Sequence, residues 1–143
     1  MQITDVQVKL VTGRDAKLRA FCSMTLDNEF IVRDIKIIER DEGHLVAMPS
    51  RKMSDHCPQC GTKNHLRARY CNNCGAPFPE NRAKVDSRGR VKLHADIAHP
   101  INADCRQRIQ QTLLAAFQEE LALSLQPGYT PKDLDDGPDD EAI

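Results

Sequence analysis

Tryptophan is absent from the 143-residue sequence, and its other large aromatic side chains are only four Phe and two Tyr. An extended stacking platform for single-stranded nucleic acid is therefore poorly supplied. Apolar runs are short as well, and none approaches the roughly 18 residues that suggest a membrane span. The N-terminal stretch MQITDVQVKL has neither the basic region nor the continuous apolar core of a signal peptide. We therefore expect a cytoplasmic protein, with no membrane partner, whose thiols stay reduced.

The net charge is also small, −1, but the charges are segregated along the chain. Residues 51–92 carry ten basic and three acidic side chains, whereas residues 126–143 carry one basic and six acidic side chains. A basic block of this kind favours a polyanionic partner. The last segment has too few apolar residues to offset the entropy lost on ordering, so 126–143 is predicted to be an acidic disordered tail.

Alternating apolar and polar residues dominate the first fifty positions. This period of two predicts β-strands, and turn signals at Gly13-Arg14-Asp15, Asp27-Asn28 and Asp41-Glu42-Gly43 separate four of them. The short connections favour an antiparallel meander. In the first two strands, the side chains assigned to the inner face are Val6, Val8, Leu10, Leu18, Ala20, Cys22, Met24 and Leu26.

From Asn102 the period changes to three and four residues, which is typical of an amphipathic helix. Asn102 is a suitable N-cap, and Asp104 lies in the first turn, where negative charge is favourable. The helix should run to about residue 124 and end before Pro127-Gly128. We therefore predict an α+β fold, an antiparallel β-sheet of four to five strands covered by a C-terminal α-helix. The apolar stripe of this helix comprises Ile109, Leu113, Ala116, Phe117 and Leu121.

Four of the six cysteines lie in the stretch CPQCGTKNHLRARYCNNCG, and a glycine follows each Cys-x-x-Cys pair. Each pair offers two sulfurs from one tight turn, and together the pairs supply the tetrahedral set that zinc prefers. A segment this short cannot build its own apolar core, so bound Zn²⁺ would supply its folding energy. We predict an inserted structural zinc ribbon whose ligands are Cys57, Cys60, Cys71 and Cys74.

Two alternatives to zinc use the same four cysteines. An iron site of rubredoxin type would have an identical ligand set, and disulfides would need an oxidising compartment. Catalytic zinc is disfavoured because four thiolates leave no open position for water or substrate. His56 and His65 are nearby spare donors, which we interpret as surface histidines.

The remaining two cysteines are interpreted as packing residues. Cys22 falls on the inner face of a strand, where it would act as a small core side chain. Cys105 falls in the first helical turn, a position that can lower a thiol pKa. No histidine or carboxylate partner is evident to activate it, so buried packing is favoured over reactivity.

The segments on either side of the cysteine stretch resemble the stage V sporulation protein G (SpoVG) family of bacterial septation and sporulation regulators. The combination of AMPSRK with a later DIAHPIN is the most specific feature. The resemblance implies small dimers with an antiparallel sheet and a C-terminal helix, which bind DNA at specific sites, and RNA, as regulators rather than enzymes. It is carried by ITDVQVKLV, LRAFCSMTLDNEFIVRDIKIIE, LVAMPSRK and DIAHPINADCRQRI.

The sequence departs from the family pattern between MPSRK and DIAHPI, which the family normally joins by a short hairpin loop. In this chain the predicted insertion, residues 53–94, lies there and includes the cysteine pairs. The resemblance therefore gives no support for what the ribbon does. The predicted organisation is a SpoVG-like core of residues 1–52 and 95–125, an inserted zinc-ribbon segment of residues 53–94, and the acidic tail of residues 126–143.

The predicted function is that of a nucleic-acid-binding regulator of septation or sporulation type, acting as a homodimer, with DNA favoured and RNA possible. No catalytic residue or small-molecule substrate is expected. His99 is interpreted as hydrogen bonding to backbone where a strand passes into the helix, and Pro100 fixes that turn. No nucleophile–base pair accompanies it. The residues predicted to contact nucleic acid are Arg51, Lys52, Lys63, Arg67, Arg69, Arg106 and Arg108.

A zinc-ribbon adapter is the alternative function. Zinc ribbons also dock onto larger machines such as polymerases and ribosomes. In that hypothesis, the acidic tail could mask the basic block until a protein partner arrives.

Overall fold

The computed structural model describes residues 1–13, 17–80, 82–83, 85 and 87–134. The chain divides into two compact units. Met1–Pro49 and Ala98–Ile143 form the first, here called the core unit, and Ser50–Ile97 form the second, here called the cysteine unit. Part of the predicted turn at Gly13-Arg14-Asp15 and residues 135–143 of the predicted tail lie outside the described residues.

The core unit contains a four-stranded antiparallel sheet in the order β1-β2-β3-β4. The predicted meander and the α+β fold are therefore confirmed. Asp27 and Asn28 form the predicted turn between β2 and β3, and both have positive φ, 51° and 55°, a conformation that Asp and Asn tolerate better than most residues. The strands are β1 (Ile3–Leu10), β2 (Leu18–Leu26), β3 (Phe30–Arg40) and β4 (Gly43–Ala47).

The predicted helix is present as α1 (Ala103–Ser124). Its N-cap is Asn102, whose side-chain Oδ1 accepts a hydrogen bond from the Cys105 N–H at 2.8 Å. This bond satisfies one of the N–H groups that the first helical turn leaves without a partner. The helix packs on the sheet face that alternation predicted. The buried side chains of this core are Val8, Ala20, Cys22, Met24, Val32, Ile35, Ile37, Ile109, Leu113 and Phe117.

The helical stripe differs from the prediction at its C-terminal end. Leu121 is 36% exposed, whereas Glu120 is only 4% exposed. Tyr129 donates a hydrogen bond to Glu120 Oε1 at 2.7 Å, and Lys132 Nζ lies 3.7 Å from Glu120 Oε2. The segment after the helix thus supplies the polar partners that allow a carboxylate to be buried at this position.

An irregularity in β3 shifts the phase of its side chains. Cys22 pairs with Ile35 and Met24 with Val32, so three steps along β3 oppose two along β2. Asp34 lies in this interval with φ 60°, as expected of a β-bulge. The bulge brings both Val32 and Ile35 to the buried face. Simple alternation would have placed these two residues on opposite faces.

The cysteine unit is built from two short antiparallel ribbons. One pairs the ends of the unit with each other, with Ser50 opposite Asp96 and Lys52 opposite His94. The other pairs the strand before the first cysteine with the strand after the second, with His56 opposite Lys63. The four strands are β5 (Ser50–Lys52), β6 (Ser54–His56), β7 (Lys63–His65) and β8 (His94–Asp96).

Candidate metal centre

The four cysteines of the paired motifs come together in one cluster, with all four sulfur atoms within 4.8 Å of one another. Cys57 Sγ lies 3.7 Å from Cys74 Sγ, and Cys60 Sγ lies 3.5 Å from Cys71 Sγ. A tetrahedron of thiolates about 2.3 Å from a central Zn²⁺ has edges of about 3.8 Å. The arrangement therefore fits one four-coordinate metal ion, and the predicted ligand set is the set that the fold assembles.

Two matching turns, here called knuckles, present the sulfurs. In the first, the Gly61 N–H donates to the Cys57 carbonyl at 2.8 Å, and in the second the Gly75 N–H donates to the Cys71 carbonyl at 3.1 Å. Both glycines have positive φ, 79° and 77°, which explains the glycine after each pair. The knuckles then close by equivalent bonds, from the Cys57 N–H to Thr62 and from the Cys71 N–H to Ala76.

Backbone N–H groups point at the sulfurs, as a charged thiolate cluster requires. The Gln59 N–H donates to Cys57 Sγ at an N···S distance of 3.4 Å, and the Asn73 N–H donates to Cys71 Sγ at the same distance. These donors stabilise negative charge on sulfur, because a hydrogen bond to the ionised form favours that form. Within the cluster, Cys57 and Cys71 are buried, whereas Cys60 and Cys74 are exposed.

The surroundings of the cluster shift the pKa values of Cys60 and Cys74 in opposite directions. Hydrogen bonds with the side chain and backbone of Thr62 lower the pKa of Cys60 to about 5. The bond between Cys74 and the Ala76 backbone acts in the same direction, but partial desolvation of the sulfur and the adjacent sulfurs outweigh it and raise the pKa of Cys74 to about 12. A divalent metal ion is the group that would let all four sulfurs ionise together.

Asn64 connects the two knuckles, a role that the sequence analysis missed. Its side chain is buried, and its Nδ2 group donates both to the Thr62 carbonyl at 3.1 Å and to Cys71 Sγ at 3.4 Å. Its Oδ1 accepts from the Asn72 N–H at 2.9 Å. Asn64 lies between the cysteine pairs in sequence, and its small polar side chain is the only signal that could have indicated this role.

The two histidines near the cysteines are not members of the cluster. His56 Nδ1 donates to the Gly61 carbonyl at 3.0 Å, so its ring supports the first knuckle. His65 is exposed, and its carbonyl accepts a hydrogen bond from Arg82. His99, in the core unit, bonds through Nδ1 to the Pro100 carbonyl at 3.0 Å, which is the backbone role predicted for it.

The other two cysteines pack in the core unit. Cys22 is fully buried, and burial raises the pKa of its thiol to about 12, so it stays protonated and unreactive at neutral pH. Cys105 is partly buried against the same apolar cluster.

All seven basic residues predicted to contact nucleic acid are exposed. Two of them, Arg106 and Arg108, lie in the first turns of α1 in the core unit. Arg108 also donates to the Met1 carbonyl at 3.4 Å. The other five lie in the cysteine unit, on or near β5 and the loop between the cysteine pairs: Arg51, Lys52, Lys63, Arg67 and Arg69.

Fold and site together define a class of protein: a small α+β domain of one sheet and one helix, with an additional unit organised by a four-cysteine cluster able to bind a metal ion. No described helix is long and apolar enough to cross a membrane.

The family model for SpoVG matches residues 1–119, and the chain belongs to the SpoVG family. Three similar relatives are each named "Putative septation protein SpoVG". The relative from Clostridium acetobutylicum is 36% identical over 119 residues, covering 83% of this chain and 86% of its own. Those from Lachnospira eligens and Thermoanaerobacter pseudethanolicus are 34% and 35% identical over 119 residues, covering 93% and 89% of their own chains. The resemblance to this family is therefore confirmed.

Proposed function

We propose that the protein is a non-catalytic cytoplasmic regulator that binds nucleic acid as a homodimer, with DNA favoured over RNA. Membership of the SpoVG family supports a regulatory role in septation or sporulation. The observation that carries the nucleic-acid part is the set of five exposed cations in the cysteine unit. No ion pair ties Arg51, Lys52, Lys63, Arg67 or Arg69 to an acidic side chain within the part of the chain that the structure describes.

The cluster itself accounts for only part of this positive charge. Four thiolates around a divalent ion carry a net charge of −2, which nearby cations could neutralise. The basic block of residues 51–92 has seven more basic than acidic side chains, so a clear positive excess remains. An excess of this size on one small unit attracts a phosphate backbone and steers its approach.

Zinc is the metal that we assign to the cluster. Its preference for four thiolates in a tetrahedron matches the sulfur spacing, and a site closed by four protein ligands is structural rather than catalytic. The ion would fix the two knuckles, and Lys63, Arg67 and Arg69 would project from the loop that joins them. Iron in the same ligand set is distinguished by its colour and by metal analysis of the purified protein.

The binding proposal is tested by titrating mixed-sequence DNA with the zinc-loaded protein at increasing salt. Each neutralised phosphate releases counterions, so the logarithm of the binding constant should fall linearly with the logarithm of salt concentration, by roughly 0.9 per contact on duplex DNA. A matched variant, Arg51→Ala with Lys52→Ala, should reduce that slope. Affinity that does not change with salt would rule out a phosphate-driven interface.

A protein-docking adapter is the second candidate, and exposed apolar side chains in the cysteine unit favour it. Tyr70, Val85 and Val91 are all more than half exposed. Replacing Tyr70 and Val91 by serine should leave DNA affinity unchanged in the regulator hypothesis. If the protein instead works as an adapter, complexes recovered from cells should survive nuclease treatment and be lost in this variant.

A further inference from the structure

A cleft with a volume of about 200 Å³ lies within the cysteine unit. None of the four clustered cysteines is among its lining residues. Met53, Leu66 and Leu93 form its apolar part, and each of them is half-buried. Backbone hydrogen bonds hold these three residues together: the Met53 N–H donates to the Leu93 carbonyl at 2.8 Å, and the Leu66 N–H donates to the Met53 carbonyl at 3.0 Å. The apolar surface is therefore fixed in place by the backbone, while remaining open to solvent.

The other side chains that line the cleft are two cations and two imidazole rings. Lys52 and Arg67 contribute two exposed positive charges, and His65 and His94 contribute two exposed rings. None of the described residues that line the cleft is acidic. The positive charge of the cleft complements an anionic ligand. Its apolar floor, formed by Met53, Leu66 and Leu93, complements an apolar surface of the same ligand.

A nucleotide combines both properties, since its base has flat apolar faces and its phosphate carries the charge. Inorganic phosphate would leave the apolar floor unused, and an apolar peptide side chain would leave the cations unused. The volume is below the roughly 300–1,000 Å³ of pockets for drug-sized ligands, so it suits one base rather than a stack of several. The six Phe and Tyr residues are too few for several bases to stack on in succession. A single base needs only one apolar contact surface and one neighbouring ring.

We propose that this cleft accepts one unpaired nucleobase of the bound nucleic acid, while Lys52 and Arg67 hold the adjoining phosphates. The inference rests on the proposed nucleic-acid function and makes it more specific. A base inside a duplex presents only its edges, so the ligand is a base in a bulge, a loop or a single strand. The protein then distinguishes nucleic acids by the presence of an unpaired base, in addition to their charge.

The test uses the full-length zinc-loaded protein and two duplexes that differ at one position. The first carries a single-base bulge, and the second carries an abasic residue at the same bulge, so that both have the same phosphates. Wild-type protein should bind the first about tenfold more tightly, because seating one base contributes an effect of this order. Parallel DNA and RNA versions of the pair show which polymer is preferred.

Three variants connect this ratio to the cleft. His94→Ala, which changes an exposed ring, and Leu66→Ser, which changes the floor, should both bring the ratio close to one while zinc stoichiometry stays unchanged. Arg69→Ala removes a positive charge from the same unit outside the cleft lining, and it should lower affinity for both duplexes while leaving the ratio intact.

The outcomes separate this inference from the proposed function. Salt-dependent binding with equal affinity for the two duplexes would overturn the base site and leave the nucleic-acid function standing. A tenfold ratio that survives both His94→Ala and Leu66→Ser would also overturn it. If no duplex or single strand binds at low salt, the proposed function fails, and the base site fails with it.

Discussion

At the scale of single residues, Asn64 links the two halves of the four-cysteine cluster. One buried side chain contacts a sulfur, a carbonyl of the first knuckle and an N–H of the second. Partners of this kind orient metal ligands, and their loss commonly costs 10–100-fold in metal affinity. Loss of the Asn64 amide would also leave the Asn72 N–H without its acceptor.

Asn64→Ala is therefore expected to weaken zinc binding by at least about tenfold. Competition against a chromophoric chelator measures this change. Gln59→Ala is the matched control, because its backbone N–H still reaches Cys57 Sγ when the exposed side chain is removed. Equal affinities for the two variants would show that Asn64 does not position the ligands.

Tyr129 is the second residue with a defined energetic role. Its hydroxyl donates to the buried Glu120 carboxylate, so Tyr129→Phe should lower the free energy of unfolding of the core unit by about 1–2 kcal/mol. Denaturant titration of the zinc-loaded protein measures this loss of stability. A loss of less than a few tenths of a kcal/mol would mean that Lys132 and solvent are sufficient partners.

The same contact predicts a pH dependence. The hydrogen bond with Glu120, followed by burial, raises the pKa of Tyr129 above its usual 10. A raised pKa means that the protonated tyrosine contributes its full stability below the unfolded pKa. This contribution is lost as pH rises from about 10 through the folded pKa. The stability difference between wild type and Tyr129→Phe should therefore shrink above pH 10, and a difference that grows there would contradict the assignment.

At the scale of elements, the β3 bulge determines which side chains enter the core. Asp34 lies in the left-handed region, which β-branched residues adopt only with strain. Asp34→Val should destabilise the core unit by about 1–2 kcal/mol although the position is exposed. Asp34→Asn, which tolerates this conformation, should be nearly neutral. Thermal or denaturant unfolding of the pair tests this, and equal stability of the two variants would argue against the bulge.

The elements also show which features a sequence can predict. Helix α1 begins and ends where its N-cap and the following Pro-Gly predicted, because these signals are local. The β3 bulge was missed, because the choice between regular alternation and a bulge depends on pairing with β2. Glu120 was missed for a similar reason, since its burial depends on partners in the segment that follows the helix.

For the site, the clustering of the four cysteines was predictable from the sequence, whereas the contacts that support the cluster were not. The spacing of the four cysteines specifies the cluster, since each pair must form a tight turn. The role of Asn64 and the cleft beside Arg67 depend on backbone contacts between distant residues, such as Met53 with Leu93. No local pattern encodes such contacts.

At the scale of the whole molecule, the two units should respond differently to metal removal. Within the described part of the cysteine unit, only Cys57, Asn64 and Cys71 are buried, so the unit has almost no apolar core. The core unit buries ten side chains in its own cluster. Metal binding is therefore expected to supply most of the folding free energy of the cysteine unit, but not that of the core unit.

A strong chelator, or Cys57→Ser, should abolish amide protection in residues 50–97 while the sheet and α1 keep theirs. Hydrogen exchange followed by residue gives this comparison directly, and Cys105→Ser, at a partly buried cysteine outside the four-cysteine cluster, serves as a control. Retained protection throughout the cysteine unit after complete metal loss would show that the ion is not its scaffold. Unfolding of both units together would show that the core unit is not independent.

The pairing of β5 with β8 has an evolutionary consequence. Ser50 lies opposite Asp96 and Lys52 opposite His94, so the segment between β5 and β8 leaves and rejoins the chain on adjacent antiparallel partners. Ancestral gain or deletion of the segment would amount to lengthening or trimming one hairpin, with the flanking topology unaltered. The segment that carries the four cysteines could therefore be removed as a unit, and a two-residue Asn-Gly turn between Lys52 and His94 would be the shortest connection to replace it.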